Sequence, residues 1–259
     1  MVEQRDVEII LNNPIDWEQF RNKTVLVTGA TGRLGMYIVE AISKADIDWN
    51  LNVTIIALAR SQKKLEEVFG ESLHLPNIHT LVQDVTEPIE WEGDVHYIFH
   101  TAGLASPQDF TNHPVDTLWG HVQGTRNVLE LARTHNGEKV LYVSTVEIYG
   151  EWKSEDGIKE TDMGVMRCDN ARACYPEAKR LCETMLATYE AQYGIQYVGV
   201  RLCHTFGPGI VLNDGRAFSE FIRNVLEGKD IVLQTDGSAS VTFPYQSTHS
   251  HLSKLRVLR

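Results

Sequence analysis

The sequence has no long run of apolar residues. Its longest, VTIIALA at 53–59, is far too short to cross a bilayer. The first twenty residues, MVEQRDVEIILNNPIDWEQF, are acidic and lack the apolar segment of a signal peptide. We therefore expect a soluble, cytoplasmic protein that does not bind a membrane.

Cysteine is scarce, and its spacing excludes two common roles. The four cysteines form no CxxC pair and do not lie at zinc-ligand spacing from histidines; they are Cys168, Cys174, Cys182 and Cys203. We expect reduced thiols, as in a cytosolic protein, and no bound metal. The chain also contains no internal repeat and no low-complexity tract.

Positive charge is in short supply. The 259 residues include 24 lysines and arginines against 35 acidic residues, a formal net charge of -11. Such a chain repels a phosphate backbone, which makes nucleic acid a poor candidate partner. A small phosphorylated ligand remains compatible with this balance, because a local site can be positive on a negative protein.

Short apolar runs alternate with helical patterns along most of the chain. A β-branched run, Thr24 to Thr28, passes through a glycine-rich turn into an amphipathic helix. Later runs are VTIIALA, HTLVQDV, VHYIFHTAG, KVLYVSTVEIYG and QYVGVRLCHTFG. Strands that are apolar throughout and alternate with helices predict a parallel sheet covered on both faces.

A glycine-rich loop joins the first strand to the first long helix. Gly29, Gly32 and Gly35 have GxxGxxG spacing, and glycine lets the backbone adopt positive φ or approach a ligand closely. The amides of the helix start can then face a pyrophosphate. A plain tight turn uses glycine too, but this position between strand and helix indicates a dinucleotide site.

The fold class that we predict is α/β, a Rossmann-type doubly wound parallel sheet with a small, incomplete C-terminal substrate subdomain. Its divisions are an N-terminal helical extension at 1–20, the Rossmann domain at 21–204 and the partial subdomain at 205–259. The last division rests on the weaker strand–helix alternation after about residue 205.

The second strand normally supplies a residue that selects the ribose. Here it ends IIALARSQKK, with Arg60 where an acid would bind the 2′-hydroxyl of NAD. Arg60 could hold the 2′-phosphate of NADP, or it could be a solvated strand-end arginine. Asp84, in QDV, could contact the adenine amino group or cap a turn.

Tyr175 and Lys179 lie four residues apart in ARACYPEAKRLCETM and therefore on one helix face. The pKa of a free tyrosine is about 10, and a neighbouring ammonium lowers it. On its own such a pair would be interpreted as structural, because Tyr and Lys at this spacing are common on helices. It follows STVEIYG, however, where Thr145 and Glu147 share a side if the segment is extended.

Several ordered motifs, over roughly residues 22–245, resemble the extended short-chain dehydrogenases/reductases, also called the NAD-dependent epimerase/dehydratase family. TGATGRLG is similar to the cofactor loop of that family, and HTAG to its strand end beside the nicotinamide. STVEIYG, CYPEAK and RLCHTFGPG resemble its S[ST]xE[VI]YG, YxxxK and RxxNxYGPG motifs. Within the family, RACYPEAKRLCET and the stretch NDGRAFSEFIRNVLEGKDIVLQTDGSASVTF resemble nucleotide-sugar decarboxylases of the UDP-glucuronate type.

The resemblance implies a set of site residues. The catalytic residues would be Thr145, Glu147, Tyr175 and Lys179. The cofactor would contact Gly29, Thr31, Gly32, Arg33, Leu34, Gly35, Arg60, Asp84, Val85, Ala102, Gly103, Tyr175 and Lys179, and the substrate Ser106, His204 and Arg216. The cofactor implied is NAD, with NADP as the alternative that Arg60 leaves open. The partners implied are a nucleotide-diphosphate sugar and a second copy of the chain, as a homodimer.

The activity that the resemblance implies proceeds through a 4-keto sugar. Tyr175 would take the proton of the sugar 4-hydroxyl while C4 gives a hydride to the nicotinamide. Lys179 would lower the pKa of Tyr175 and hold the cofactor ribose, Thr145 would bond the same oxygen, and Glu147 would assist proton transfer at C5. The rivals are an NADPH-dependent ketone reductase and a cofactor-binding remnant without activity.

The chain departs from the family pattern in four places. His121 and His204 stand where the family usually has Asn, and either could keep a hydrogen bond, reflect another sugar or simply pack. Val241 replaces an expected Arg, which removes a phosphate contact. The ending PYQSTHSHLSKLRVLR is basic, serine-rich and unlike the family. We therefore expect a truncated or frameshifted gene product.

Overall fold

The structure is a computed structural model, and it describes residues 2–151, 158–203, 205, 207, 212, 213 and 215–233. Every structural statement below refers to these residues. His204, Val241 and the serine-rich C-terminal stretch, about which the sequence raises expectations, lie outside them.

Six parallel strands form one sheet. They are β1 (Thr24–Thr28), β2 (Thr54–Ala59), β3 (Ile78–Val82), β4 (Tyr97–His100), β5 (Lys139–Thr145) and β6 (Gln196–Leu202). Their spatial order is β3-β2-β1-β4-β5-β6, and the strand pairs are parallel. This is the strand order of the dinucleotide-binding Rossmann fold, so the predicted fold class is confirmed.

Seven helices accompany the sheet in the described part of the chain. They are α1 (Gln4–Leu11), α2 (Arg33–Trp49), α3 (Gln62–Phe69), α4 (Pro107–Asn112), α5 (Pro114–Thr134), α6 (Cys174–Tyr193) and α7 (Ala217–Leu226). Short 3₁₀ turns lie at Trp17–Phe20, Gly70–His74, Val146–Tyr149 and Ala171–Ala173. None of the helices described here has the length and apolar character needed to span a bilayer.

The strands are apolar throughout because both faces of the sheet are covered. Side chains alternate between the faces of a strand, and in β1 Val25 and Val27 pack with α1, α2 and α3 while Leu26 packs with α5 and α6. All three side chains are fully buried. A continuous apolar run in the sequence thus becomes two hydrophobic cores, one on each side of the sheet.

The N-terminal helix is part of the first of these cores. Val7 and Ile10 of α1 are buried there, and the Tyr37 hydroxyl of α2 donates to Asp6 at 3.1 Å. Asp6 is only 5% exposed, so this bond satisfies a carboxylate that has little access to water. Residues 1–20, which the sequence sets apart as an extension, therefore contribute to the packing of the sheet domain.

The strand order reverses between β1 and β4, and the two strand ends are tied together there. The Thr101 hydroxyl donates to the Thr28 carbonyl at 2.7 Å, and the Ala102 amide donates to the Thr28 hydroxyl at 3.2 Å. In open α/β sheets, ligands bind beyond the carboxyl ends of the strands at such a switch point. The fold therefore locates the candidate site before any side-chain chemistry is considered.

A polar cluster joins α6 to the ends of β5 and β6. Arg201 of β6 donates to Glu183 of α6 at 2.8 Å and to the Tyr149 hydroxyl at 3.2 Å, and Glu183 accepts from Ser144 of β5 at 2.5 Å. One turn earlier on α6, Lys179 donates to a β5 carbonyl. The register of α6 against β5 is thus fixed by side chains from two successive helical turns.

If α1 belongs to the core, removing the hydroxyl that binds Asp6 should destabilise the whole domain. Tyr37→Phe should lower the free energy of unfolding by about 1–3 kcal/mol, because it leaves a buried carboxylate without its donor. Tyr193→Phe is the control, since the Tyr193 hydroxyl bonds only an exposed Gln192. Urea unfolding followed by circular dichroism measures both variants, and equal small losses would contradict a role for α1 in the core.

Candidate functional site

An open cleft of about 810 Å³ lies beyond the carboxyl ends of the strands around the switch point. Its walls come from the loops after β1, β2, β3 and β4 and from the start of α5. The lining residues that the sequence singled out are Gly29, Thr31, Gly32, Arg60, Asp84, Val85, Ala102 and Gly103. Most of the predicted cofactor residues therefore meet in one cavity.

The glycine loop fits a ligand that approaches the backbone. Gly29 has φ +66°, and a Cβ there would lie 2.9 Å from the Ala102 backbone. A Cβ on Gly35 would lie 2.3 Å from the Gly29 carbonyl oxygen, so the start of α2 packs too closely on the loop for any side chain. Gly32 precedes α2 and offers no capping side chain. The first amides of α2 can therefore serve an anion.

Arg33 and Leu34 open the first turn of α2. The Arg33 guanidinium donates to the Thr205 carbonyl at 2.9 Å, which links the glycine loop to the segment that follows β6. The predicted contact of these residues with a cofactor runs through their backbone amides, and it stays a prediction.

Arg60 and Asp84 face each other across the β2 and β3 ends of the cleft. Arg60 Nη1 lies 3.9 Å from Asp84 Oδ2, and Asp84 Oδ1 accepts from the amide and the hydroxyl of Thr86. Burial alone would raise the pKa of Asp84, but these hydrogen bonds and the charge of Arg60 outweigh it and lower the pKa. The carboxylate therefore both caps a turn and offsets the charge of Arg60.

Tyr175 and Thr145 are brought together as predicted. Tyr175, in the first turn of α6, is 7% exposed, and its ring stacks on Phe110 of α4 with centroids 4.3 Å apart. Burial raises the pKa of Tyr175 to about 12, while a hydrogen bond with Thr145 acts in the opposite direction. The reactive oxygen of this pair is thus a neutral phenol at physiological pH.

Lys179 bonds a strand carbonyl in this arrangement, and its expected effect on the pKa of Tyr175 stays a prediction. Its Nζ donates to the Val143 carbonyl at 2.6 Å and lies 5.9 Å from the centre of the Tyr175 ring. Burial lowers the pKa of Lys179 to about 8. The two residues share a helix face, but the ammonium is bound to the strand and not to the phenol.

Glu147 does not share a side of an extended segment with Thr145, so that expectation is wrong. β5 ends at Thr145, and Val146–Tyr149 forms a 3₁₀ turn. The turn is capped by Thr145, whose Oγ1 accepts from the Glu147 amide at 3.2 Å. The Glu147 carboxylate instead accepts from Arg172 at 2.8 Å. Hydroxyl capping of a helical turn is the physical cause of the change in direction.

The predicted substrate residues have local partners. The Ser106 hydroxyl donates to Asp109 at 2.6 Å and accepts from the Asp109 amide, which makes it the N-cap of α4. Arg216 donates to the Ala105 carbonyl at 2.8 Å, so it holds the same loop. His204 is outside the described residues. Ser106 and Arg216 are thus adjacent, on the loop that leads into α4.

Two histidines lie buried near the predicted catalytic residues. His100 Nδ1 is 2.8 Å from the Thr28 hydroxyl, and burial lowers the pKa of His100 to about 3. His121 donates from Nε2 to the Leu104 carbonyl at 2.9 Å, and burial lowers its pKa well below the usual value. Its ring lies 5.4 Å from that of Tyr175. Both imidazoles are therefore neutral at pH 7.

The imidazole of His121 lies between Gly103, at the wall of the cleft, and the ring of Tyr175. A Cβ on Gly103, which lines the cleft, would lie 2.1 Å from the imidazole of His121. Tyr175 itself does not line the cleft in the part of the chain described, because Phe110 covers its ring. Tyr175 thus lies beside the cleft and is covered by Phe110 of α4.

The analysis of the sequence missed two side chains at this site. Phe110 stacks on Tyr175, and the Arg172 guanidinium lies over Phe110 at 4.6 Å while it bonds Glu147. Arg172 falls within RACYPEAKRLCET, so the motif carried a signal for it; nothing in the sequence marks Phe110. Across the described ranges, no three His, Cys, Asp or Glu residues are grouped to hold a metal ion.

Comparison with protein families agrees with this geometry. The family model described as NAD dependent epimerase/dehydratase family matches residues 25–247, most of the chain. The chain belongs to the NAD-dependent epimerase/dehydratase family. The family resemblance predicted from the ordered motifs is therefore confirmed.

Curated proteins similar to this chain include UDP-glucuronic acid decarboxylases. The UDP-glucuronic acid decarboxylase 6 of Arabidopsis thaliana is 33% identical over 229 residues, which are 87% of this chain and 63% of the relative. The chain thus spans somewhat less than two thirds of the length of that relative.

Solved structures of family members share the fold. A UDP-N-acetylglucosamine 4-epimerase from Methanobrevibacter ruminantium M1, in complex with UDP-N-acetylmuramic acid, superposes with a TM-score of 0.76 at 24% identity over 92% of this chain and 73% of that chain. The UDP-glucuronic acid 4-epimerase of Bacillus cereus, in complex with UDP-glucuronic acid and NAD, gives 0.70 at 19% identity over 89% and 72%. These identities show the fold alone.

The covered position of Tyr175 gives a testable pKa. In the protein without ligands we expect Tyr175 to stay protonated at pH 10 and to titrate near pH 12, because burial disfavours the phenolate. With nine tyrosines in the chain, the signal is assigned by ¹³C-tyrosine NMR on the parent and on Tyr175→Phe. A phenolate forming below pH 10 would contradict the geometry and restore the expected effect of Lys179.

Proposed function

We propose that the chain binds NAD in the cleft and acts on a nucleotide-diphosphate sugar through a 4-keto intermediate. The substrate class that we favour is a nucleotide-linked uronic acid. The observation that carries the proposal is the contact of Tyr175 with Thr145 at the end of β5, one helical turn from Lys179 and next to the glycine-lined cleft.

The glycine loop supports a dinucleotide. Its close backbone contacts leave no room for side chains at positions 29 and 35, and the start of α2, where backbone amides and the helix dipole favour an anion, would face a pyrophosphate. A relative of the same fold was crystallised with NAD. On this basis Gly29, Gly32 and the first turn of α2 would hold the cofactor pyrophosphate.

NAD is favoured over NADP by the pairing of Arg60. The guanidinium of Arg60 lies 3.9 Å from the carboxylate of Asp84, and a 2′-phosphate placed on Arg60 would also approach this negative charge. The ribose hydroxyls of NAD meet no such repulsion. The same argument weakens the rival reading of an NADPH-dependent ketone reductase, which depended on a free Arg60.

The chain's own residues would move the proton of the sugar hydroxyl. NAD, when bound, accepts a hydride from the sugar carbon and can return it. Tyr175 would accept the hydroxyl proton as a phenolate, with Thr145 bonding the same oxygen. The Lys179 ammonium, 5.9 Å from the centre of the Tyr175 ring, would favour that phenolate over the neutral phenol. Phe110 and the loop at Ser106 would keep water from Tyr175.

A uronic acid is supported by the relatives. A curated relative that matches 87% of this chain is a UDP-glucuronic acid decarboxylase, and one solved structure of the same fold holds UDP-glucuronic acid. Glu147, with its carboxylate beside Arg172, would assist proton transfer at C5 next to the keto group. The expected homodimer, the cytoplasmic location and the domain boundaries stay predictions.

The test of the proposed function is removal of the Tyr175 hydroxyl. Tyr175→Phe should reduce the conversion of UDP-glucuronic acid about a hundred- to ten-thousandfold, because only the group that transfers the proton is lost. NAD affinity and the circular dichroism spectrum should stay unchanged. Product formation is followed by mass spectrometry, and transient reduction of NAD by absorbance at 340 nm.

Tyr189→Phe is the matched control, because Tyr189 also lies on α6 and its hydroxyl bonds Glu130, away from the cleft. It should keep the parent activity. A Tyr175→Phe variant as active as the parent would refute the assignment, and a parent that binds NAD but converts no nucleotide sugar would favour the reading of an inactive remnant.

Cofactor preference should depend on Asp84. The parent should bind NAD more tightly than NADP, and Asp84→Asn should shift the ratio about fivefold towards NADP, since it removes a charge worth about 1 kcal/mol at this distance and exposure. The asparagine keeps the oxygen that bonds Thr86. Asp94→Asn, an exposed change at a residue that bonds Asn136, is the control, and calorimetry with both cofactors decides. An unchanged ratio in Asp84→Asn would contradict the role of the carboxylate.

A further inference from the structure

We propose that Arg172 recognises the carboxylate of the uronic acid and takes it in exchange for the carboxylate of Glu147. This inference rests on the proposed function and deepens it, because it assigns the residue that separates uronic acids from neutral sugars. Arg172 is not among the site residues that the family resemblance implies.

The guanidinium of Arg172 lies on the side of the site where the carboxylate of a uronic acid is expected. It lies 4.6 Å over the ring of Phe110, and Phe110 stacks on Tyr175 at 4.3 Å, so the three side chains form a ladder. The carboxylate of a uronic acid is attached to C5, the neighbour of the C4 on which Tyr175 would act. A cation that reads this carboxylate must therefore lie close to the tyrosine, as Arg172 does.

Most N–H donors of the Arg172 side chain form no hydrogen bond within the residues described. An arginine carries five N–H donors in a planar fork that suits a carboxylate. Within the residues described, one hydrogen bond uses this fork, from Nη2 to Glu147 Oε2 at 2.8 Å. Stacking on Phe110 orients the plane of the guanidinium without using its N–H groups. The orientation is thus fixed while most of the donors remain.

The other cations near the site are held by structural partners. Lys179 donates to the Val143 carbonyl, Arg180 to the Ile148 and Gly164 carbonyls, and Arg216 to the Ala105 carbonyl. Arg201 is bound by Glu183, the Tyr149 hydroxyl and the Glu160 carbonyl. Arg172, like Arg201, is paired with a carboxylate, the same chemical group that the substrate would bring, but the Arg172–Glu147 pair is much more exposed than the Arg201–Glu183 pair.

The exchange of one carboxylate for another conserves charge. The Arg172 and Glu147 side chains are 45% and 35% exposed, and an ion pair at such exposure contributes little to stability, so it can be displaced. A sugar with a hydroxymethyl group on C5 offers no charge to replace Glu147. The exchange would also free Glu147 for proton transfer at C5 only when a carboxylate has arrived.

The affinity of two sugars that differ only at this group tests the inference. With NAD present, calorimetry should show that the parent binds UDP-glucuronic acid more tightly than UDP-glucose. Arg172→Gln should weaken UDP-glucuronic acid about ten- to a hundredfold, as for a hydrogen bond to a charged group, and leave UDP-glucose unchanged. Arg172→Lys keeps the charge but loses the planar set of donors. Its affinity for UDP-glucuronic acid should lie between those of the parent and of Arg172→Gln.

Two further variants sharpen the test. Arg167→Gln is the matched control, because Arg167 pairs with Asp169 at the same 2.8 Å on the surface; it should leave both affinities at the parent values. Glu147→Gln should have the opposite effect to Arg172→Gln and tighten UDP-glucuronic acid roughly two- to fivefold, since the competing charge is gone. Circular dichroism checks that each variant is folded.

Each outcome has a separate meaning. A folded Arg172→Gln that keeps the preference for UDP-glucuronic acid overturns the inference while the proposed function stands. An equal loss for both sugars also overturns it, and would place Arg172 on the nucleotide diphosphate. Weaker binding of UDP-glucuronic acid by Glu147→Gln contradicts the exchange. A parent that binds neither sugar refutes the proposed function itself, and the inference with it.

Discussion

The candidate site depends on the register between α6 and β5. Two side chains from successive turns of α6 set it: Lys179 bonds the Val143 carbonyl and Glu183 bonds the Ser144 hydroxyl. Tyr175, one turn earlier, then falls beside Thr145 at the end of the strand. A slip of one helical turn, about 5.4 Å, would separate the phenol from the hydroxyl. The polar bonds between helix and strand thus fix the position of Tyr175 along β5 in addition to the packing of the core.

Arg201 reinforces this register from the neighbouring strand. It contacts Glu183 with its Nε and Nη2 atoms and reaches the Tyr149 hydroxyl on the 3₁₀ turn after β5. The Arg201 guanidinium thereby links β6 to α6 and to the 3₁₀ turn that carries Glu147, and Glu183 extends this link to β5. Because both members of the Arg201–Glu183 pair are mostly buried, loss of either would leave an uncompensated charge, which costs much more than an exposed pair contributes.

Much of the fold could be predicted from the sequence because its signals are local. The apolar runs became the six strands, the strand–glycine–helix order became β1 and α2, and the four-residue spacing of Tyr175 and Lys179 became a shared face of α6. Backbone spacing and periodicity decide these features, and both can be read directly. The family resemblance was likewise predicted from short motifs and their order along the chain.

The parts that could not be predicted depend on competition between partners. Glu147 does not lie on the same side as Thr145 because the Thr145 hydroxyl caps the next turn. Ser106, predicted to bind the substrate, is the N-cap of α4. The pKa of Tyr175 rises because Phe110, distant in sequence, covers it. In each case a tertiary contact or a backbone amide satisfies a side chain that a motif alone assigns to a ligand.

The cover over Tyr175 links distant parts of the chain. Phe110 belongs to α4, and the loop that starts this helix is gripped by Arg216 through the Ala105 carbonyl. Arg216 directly precedes α7, in the region that the resemblance assigns to the substrate. A displacement of α7 would therefore shift α4, uncover the phenol and change its hydration. The exposure of Tyr175 is in this way linked, through Arg216 and α4, to the segment that begins α7.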